Sequence, residues 1–315
     1  HNFQDEVFGR TGTQAIYNAN VSGGSKDFKY NVSYAHNQEN SIMEKSGYNK
    51  DNIGAKLQAK LNKWLTFDFN ARMAYQKIKG LSGGKDTNDT NASNSTVAQT
   101  ITFAPVQELE TADEDEDNSS STRRSPMERL DGTYKLQTRF QQNYNAALTW
   151  KPFKSWTAKT EFGYGWKYYD TDQAWIALAV TNSKFQHNGR PQAQFVRDTY
   201  KSWRNANTLT YDNNKLFGGR DHLNVLIGHE WSSDMQTTRT STSVDFPVDF
   251  TIDQILSFTN TAESTLGNEA DIKAKDNMLS FFGRINYTLA DKYLMTFTLR
   301  EDGSSKFGKG NRWGL

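Results

Sequence analysis

The stretch from Ser280 to Gly308, SFFGRINYTLADKYLMTFTLREDGSSKFG, contains two runs in which apolar and polar residues alternate. The first run covers residues 280–289 and the second covers 293–300. Alternation with a period of two is the pattern of a β-strand. The break between the runs, residues 290–292, is too short for anything but a hairpin turn. The stretch therefore predicts an antiparallel hairpin with one apolar and one polar face, followed by a charged, Gly-rich loop.

The same alternation recurs along the chain and predicts ten strands. The clearest run is 65–76, which is about the length that a tilted strand needs to cross a bilayer. The predicted strands are 14–22, 28–34, 53–61, 65–76, 134–150, 156–168, 203–211, 223–231, 280–289 and 293–300.

The connections between these strands alternate between short and long. Short turns are predicted near Gly24, Lys63, Phe153, Lys215 and Asp291. Long connections are predicted at 37–50, 77–133, 170–201 and 232–276. Outer-membrane barrels have short turns on one side of the membrane and long loops on the other, so the short turns should share one rim.

Aromatic residues collect at the ends of the predicted strands, as two interfacial girdles would require. Those near short turns are Trp64, Trp150, Trp156 and Tyr293, and those near long connections are Tyr34, Tyr75, Tyr168 and Trp231. The pattern favours an all-β fold, a transmembrane antiparallel β-barrel.

The composition agrees with a barrel wall. Only 35% of the 315 residues are hydrophobic and mean hydropathy is −0.82, yet aromatic residues reach 13%. A barrel in lipid needs an apolar residue only at every second wall position. No run approaches the roughly 20 apolar residues of a membrane-spanning helix. The balance of 37 basic and 36 acidic residues gives no reason to expect nucleic acid, and the absence of cysteine excludes thiolate metal sites.

Several pieces of the sequence resemble the SusC/RagA family of TonB-dependent outer-membrane transporters. The most specific are 282–287 (FGRINY), 300–308 (REDGSSKFG) and 311–314 (NRWG). Residues 4–8 and 21–25 resemble the family's passage from plug to barrel and its first hairpin.

The resemblance implies a plugged barrel of about 22 strands in the outer membrane of a Gram-negative bacterium. It also implies import of oligosaccharides or peptides with a SusD-like surface lipoprotein, energised by the TonB complex through the plug. We expect residues 1–315 to be part of the barrel domain. A signal and plug should precede His1 and more strands should follow Leu315, because the chain opens without a secretory signal and stops where another strand is expected.

If the apolar face of each strand meets lipid, the charged residues in the opposite phase face the lumen or the plug. These are Asp68, Arg72, Arg139, Lys159, Glu161, Arg284 and Arg300. An aromatic and polar group in the second long connection has the chemistry to stack on sugar rings and to hydrogen-bond hydroxyls, although packing within the loop explains it equally well. Its members are Tyr169, Asp172, Gln173, Trp175 and Phe185.

Nothing in the sequence predicts a catalytic, cofactor or metal site. The acidic run 113–117 lacks the ligand spacing of a calcium loop and is read as a solvated charge run. The five histidines show no zincin spacing, and no nucleophile elbow occurs.

Two other classes of protein remain open at this point. A secreted all-β carbohydrate-active enzyme would use a carboxylate pair such as Asp68 and Glu161, and would pack its apolar faces in a core. A surface adhesin built from β-repeats would show a fixed sequence period, whereas the spacing here is irregular.

Overall fold

The computed structural model describes residues 2–80, 100–101, 125–176, 190–216 and 219–314. In chain order the elements are α1 (Phe3–Phe8), β1 (Thr13–Gly24), β2 (Phe28–Asn40), β3 (Gly47–Asn62), β4 (Leu65–Lys79), α2 (Pro126–Asp131), β5 (Thr133–Trp150), β6 (Trp156–Trp175), β7 (Gln192–Leu216), β8 (Asp221–Val244), α3 (Ile252–Ser257), a 3-10 turn (Thr259–Thr261), β9 (Ser264–Ile272), β10 (Asp276–Leu289), β11 (Tyr293–Ser304) and β12 (Trp313–Gly314).

All the strands belong to one antiparallel sheet. Each strand from β1 to β8 pairs with the next along the chain, and β10, β11 and β12 continue the order. The last part of β8 pairs with β9 and its first part pairs with β10, so β9 and β10 share one edge of that strand. The five short connections lie at one rim of the sheet, here called the short-turn rim. The other connections lie at the opposite, long-connection rim, except that residues 273–275 join β9 to β10 beside the middle of β8.

The register gives the sheet two chemically different faces. One row across β2 to β6 places Tyr30, Leu57, Phe69, Ala146 and Phe162 side by side. The next row across β3 to β7 consists of Lys56, Asn70, Asn145, Gly163 and Arg204. Because neighbouring positions of a strand point to opposite sides, the first row lies on what we call the apolar face and the second on the polar face.

Away from the long-connection rim, the apolar face is not packed into a core by any described residue. Large side chains such as Ile53, Phe162 and Phe297 remain 45%, 48% and 63% exposed. The fully buried apolar side chains lie instead in small clusters at the long-connection rim. Val7 of α1 packs there with Met43 and with Leu130 of α2, and Ile255 of α3 packs with Phe246 against the ends of β6 and β7. A soluble sandwich would bury its apolar face, so the sheet has the organisation of a membrane barrel wall.

The predicted hairpin at 280–300 is confirmed as β10 and β11, with a tight turn between them. Ala290 and Asp291 adopt φ of 52° and 56°, the left-handed values of a turn that matches the twist of the strands. Neither residue is glycine, so this conformation costs about 1–2 kcal/mol per residue. The carboxylate of Asp221 accepts hydrogen bonds from the Ala290 amide (2.9 Å) and the Tyr287 hydroxyl (2.6 Å) and so holds the turn against β8.

The ten predicted strands are all present, but several are longer than predicted and their long connections are correspondingly shorter. β6 extends to Trp175, β7 begins at Gln192 and β8 reaches Val244, all within segments predicted as loops. The strands β9 and β12 were not predicted. Alternation is needed only where one face meets an apolar medium, and nearer the long-connection rim both faces are polar while the backbone ladder continues.

The helices α1, α2 and α3 of the described ranges are short and lie at the long-connection rim. Ser125 and Thr251 each form a capping box, with Glu128 and Gln254 respectively, which fixes the start of α2 and α3. Residues 4–8, predicted to join the plug to the wall, fall in α1, which contacts α2 at this rim. No helix in the described ranges is long and apolar enough to cross a membrane.

Candidate ligand-binding face

All seven residues predicted to face the lumen lie on the polar face. The register pairs Arg139 with Gln76. It pairs Ala147 of β5 with Asp68 of β4 on one side and with Glu161 of β6 on the other. It also pairs Phe282 of the polar face with Arg300, and Arg284 with Leu226. The register therefore puts the seven residues on one face, and that this face lines the lumen stays a prediction.

A cavity of about 470 Å³ lies on this face across β2 to β7, on the side of the short-turn rim. Its charged lining residues are Lys29, Lys56, Asp68, Lys159, Glu161 and Arg204. Gly163 contributes to the floor, where an added Cβ would lie 3.0 Å from the Asn145 side-chain oxygen. The absence of a side chain at Gly163 thus lets a bound group approach the backbone closely.

The carboxylates of this cavity each have a separate hydrogen-bond partner. Glu161 accepts from Lys159 Nζ at 2.6 Å, and Asp68 accepts from Gln58 Nε2 at 2.8 Å. Asp68 and Glu161 lie two strands apart, about 10 Å at the usual strand spacing. Nearby, Arg204 pairs with Glu230 at 2.5 Å. This part of the polar face presents ion pairs and amides to the cavity.

Nearer the long-connection rim the polar face carries an aromatic pair. The rings of Tyr169 on β6 and Tyr200 on β7 are 5.5 Å apart and inclined at 54°. The guanidinium carbon of Arg139 lies 5.1 Å from the centre of the Tyr169 ring. Both rings remain partly exposed, so their surfaces can be reached from the polar side.

Glutamine side chains hold the two phenols in place. Gln141 donates to the Tyr169 hydroxyl at 3.2 Å, and Gln236 donates to the Tyr200 hydroxyl at 3.0 Å. Together with Arg139 these residues form what we call the tyrosine patch: Arg139, Gln141, Tyr169, Tyr200 and Gln236. Exposed rings beside amides are the groups that contact the apolar faces and the hydroxyls of a sugar.

Four of the five residues predicted as a ligand-binding group lie in a strand and not in a loop. Tyr169, Asp172, Gln173 and Trp175 lie in β6, and Phe185 lies outside the described residues. The prediction of a loop here was wrong, because β6 continues beyond the point where apolar and polar residues stop alternating in the sequence.

These four residues of β6 also lie on different faces of the sheet. Tyr169, Gln173 and Trp175 share the polar face, whereas Asp172 lies on the apolar face and pairs with Arg197 at 3.0 Å. The Trp175 ring is only 3% exposed, so it offers no free surface for stacking. Tyr200 and Gln236 were missed, although extending the phase of Arg204 along β7 places Tyr200 on the polar face.

Outside the strands, an ion pair ties two connections together. Arg190 donates to both carboxylate oxygens of Glu263, at 2.6 and 3.1 Å. The hydrogen bond from Arg190 lowers the pKa of Glu263 below its ordinary value. The pair therefore anchors the segment that carries α3 to the start of β7.

No metal site appears in the part of the chain that the structure describes. No group of three or more His, Cys, Asp or Glu side chains is gathered there. The acidic run 113–117 lies outside the described residues.

Curated proteins similar in sequence are TonB-dependent receptors. Receptor P39 of Formosa agariphila is 24% identical over 307 residues, which cover 96% of this chain and 27% of the relative. SusC of Bacteroides thetaiotaomicron is 22% identical over 334 residues, which cover 99% of this chain and 31% of the relative. The chain thus spans about a third of these relatives, and no family model matches it.

Solved structures with the same fold are outer-membrane receptors. The RagAB peptide transporter matches with a TM-score of 0.74 at 18% identity, covering 99% of this chain and 34% of that one. The ferripyoverdine receptor of Pseudomonas aeruginosa matches with a TM-score of 0.56 at 13% identity, covering 93% of this chain and 36% of that one.

The aligned relatives and the shared sheet agree over almost the whole chain. The resemblance seen in the sequence is therefore confirmed: over almost its whole length the chain is similar to TonB-dependent receptors, SusC among them, and it has the fold of part of an outer-membrane barrel wall.

Proposed function

We propose that the full-length protein imports oligosaccharides across the outer membrane. The observation that carries the proposal is the division of the sheet into an exposed apolar face and a polar face with a cavity and the tyrosine patch. In this proposal the apolar face meets lipid and the polar face lines the lumen. The opposite orientation would put Arg72, Arg284 and Arg300 in the bilayer, at about 2–4 kcal/mol each near the midplane.

Single cysteines test the orientation, because the chain has no cysteine of its own. Leu57, Phe69 and Phe297 represent the apolar face, and their chain neighbours Gln58, Asn70 and Thr298 represent the polar face. In proteoliposomes the first set should resist a water-soluble maleimide and the second set should react. Equal reactivity of the two sets would refute the membrane wall.

The tyrosine patch supports a sugar substrate. Gln141 and Gln236 supply both donors and acceptors, and the two rings offer apolar surfaces, which suits the alternating C–H and O–H groups of a saccharide. The RagAB relative is described as a peptide transporter, so short peptides are the competing substrate class.

Binding to the purified full-length receptor tests the substrate class. The probes are mixed neutral oligosaccharides of four to eight units and mixed peptides of the same length, measured by calorimetry. Tyr169→Ala and Tyr200→Ala should each weaken saccharide binding, by about 1–2 kcal/mol for loss of one ring. Tyr168→Ala is the matched control, because Tyr168 is the chain neighbour of Tyr169 on the opposite face. Binding of peptides alone would reverse the assignment.

The remaining machinery is proposed by analogy with the family. We propose that residues 1–315 belong to the barrel domain, and that a plug, further strands and a TonB-contacting segment complete the protein. A SusD-like lipoprotein is proposed to dock at the long-connection rim, where Val248 and Phe258 are 65% and 51% exposed. Replacing both with Ser should reduce co-purification of the lipoprotein while the barrel still assembles. Unchanged co-purification would assign the exposed pair another role.

A further inference from the structure

A short polar row interrupts the apolar face of the sheet. The register places Asn207, His229, Phe281 and Glu301 side by side on β7, β8, β10 and β11. Their neighbours along the strands on this face include Leu209, Ile227, Trp231 and Leu299. The polar row thus stands beside apolar neighbours on β8, β10 and β11, and on β7 it adjoins Asn205 of the same face.

An apolar groove begins at this row. The groove has a volume of about 620 Å³ and is lined on the apolar side by Leu209, Ile227, Phe281 and Leu299, together with the polar row. Gly283 lies between Ile227 and Leu299 in the register. Because Gly283 has no side chain, the surface is depressed there, and an added Cβ would meet no atom nearer than 3.6 Å.

The row leaves hydrogen-bonding capacity unused. Asn207 Nδ2 donates to Asn205 Oδ1 at 2.7 Å and lies 3.3 Å from His229 Nε2. Asn207 Oδ1, His229 Nδ1 and the Glu301 carboxylate have no partner among the described residues. His229 and Glu301 are separated by a whole strand, about 10 Å, so they cannot bond to each other.

The position of the row relative to Trp231 indicates its depth. His229 lies two residues below Trp231 on the same face, about 7 Å along the strand. A Trp ring at the edge of an apolar band marks the level of lipid headgroups. The polar row therefore lies just inside the bilayer, where the first atoms of the acyl chains are found.

We propose that this groove binds the acyl chain of a membrane lipid that carries a hydroxyl group near its polar end. The inference rests on the proposed function in one respect, namely that the apolar face meets lipid. The chain lies over Gly283 among the apolar side chains, and its hydroxyl reaches the polar row.

The donors and acceptors of the row select a hydroxyl over an ester. A carboxylate and the Asn207 side-chain oxygen only accept, and an ester carbonyl also only accepts, so an ester leaves these atoms unsatisfied. A hydroxyl donates one bond and accepts another, so it can donate to the Asn207 side-chain oxygen and accept from the neighbouring His229 imidazole. A polar group left without a partner in hydrocarbon is costly, which gives the site its selectivity.

Native mass spectrometry of the full-length receptor tests the inference. The receptor is equilibrated with two phosphatidylethanolamines that differ only in whether their 14-carbon chains carry a 3-hydroxyl group. The wild type should retain the hydroxylated lipid about three- to tenfold better, which corresponds to one net hydrogen bond.

Variants separate the two parts of the site. The double variant His229→Leu/Asn207→Leu should lose the preference and still bind both lipids, because the groove remains. Gly283→Leu should reduce the retention of both lipids together by filling the groove. Val32→Leu, on the apolar face of the distant β2, is the matched control and should change neither.

Three outcomes would overturn the inference. Equal retention of the two lipids by the wild type is one, and a preference that persists in the double variant is another. The third is disulfide cross-linking of two receptors through His229→Cys, which would show that another protein covers the row. If instead the cysteine at Phe297 reacts freely with maleimide, the proposed orientation itself has failed.

Discussion

The two halves of β8 have different sequence patterns, although both are hydrogen-bonded to neighbouring strands. From Leu223 to Trp231 every second residue belongs to the apolar face, and the alternation is plain in the sequence. From Ser232 to Val244 the strand is dominated by Ser and Thr, and it pairs with β7 and β9 with no apolar stripe. In the lower half, Leu223 to Trp231, the sequence pattern is set by the different media on the two sides of the sheet. In the upper half, Ser232 to Val244, it is set by β-propensity and by the residues that pack on the strand.

The upper halves of the strands are stabilised by a small conventional core. Ile255 of α3 and Phe246 are fully buried with Ala174 of β6 and Ala193 of β7. Apolar side chains near the long-connection rim are thus covered by protein, whereas those below remain exposed. A side-chain truncation in this core and a charge on the lower face therefore test different forces.

The largest effect is expected from Ile255→Ala. Truncating a fully buried Ile removes transfer free energy and leaves a cavity, at a cost of about 2–5 kcal/mol. The loss should be local, so hydrogen exchange should accelerate in residues 246–262 while the lower half of β8 stays protected. Phe258→Ala is the control, because Phe258 is 51% exposed. Uniform acceleration across β8 would mean that its two halves unfold as one unit.

A slightly smaller effect is expected from a charge placed on the lower half. Ile227→Arg puts a cation on the apolar face within the band, at about 2–4 kcal/mol if that face meets lipid near the midplane. Thr237→Arg places the same charge on the same face of β8 in the upper half, where water is available, and should cost under about 0.5 kcal/mol. Urea unfolding from vesicles compares them. Similar costs for both would erase the distinction between the halves.

The contrast also explains which features the sequence could predict. The phase of Leu65 to Gln76 and of the hairpin at 280–300 is correct in the structure, because an apolar medium on one side demands strict alternation. The assignment of the seven charged residues, Arg72 and Glu161 among them, to one face follows from that phase alone. The upper parts of the strands and β9 were not predicted, since Thr240 or Ser241 is as compatible with a loop as with a strand.

The tyrosine patch could be predicted only in part. Tyr169 was noticed as an aromatic residue beside polar ones, but its partner Tyr200 lies 31 positions along the chain in a segment predicted as a loop. Pairing of β6 with β7 brings them together, and no local pattern encodes that pairing. Asp172 shows the converse error, because its nearness to Tyr169 in sequence conceals that the two lie on opposite faces.

The smallest effect is expected from the ion pair that anchors the α3 segment to β7. Arg190 holds Glu263 through two hydrogen bonds, and the first of these lowers the Glu263 pKa from its ordinary value of 4.5. A carboxylate whose pKa is lowered by folding contributes its stabilisation fully above the ordinary pKa. The contribution is lost as the pH falls through the lowered value.

Protection of residues 246–262 from hydrogen exchange, corrected for the intrinsic exchange rate, should therefore decline as the pH falls below 4.5. Glu263→Gln should abolish this decline and reduce the protection slightly at neutral pH, because the amide cannot form the same charged pair. Glu269→Gln, a change at an exposed carboxylate of β9, is the matched control and should leave the decline intact. The lower half of β8 should show no such pH dependence, because Glu263 contacts only the connections at the long-connection rim. A parallel decline in the lower half would show that acid loosens the whole strand, and that the two halves of β8 are not independently stabilised.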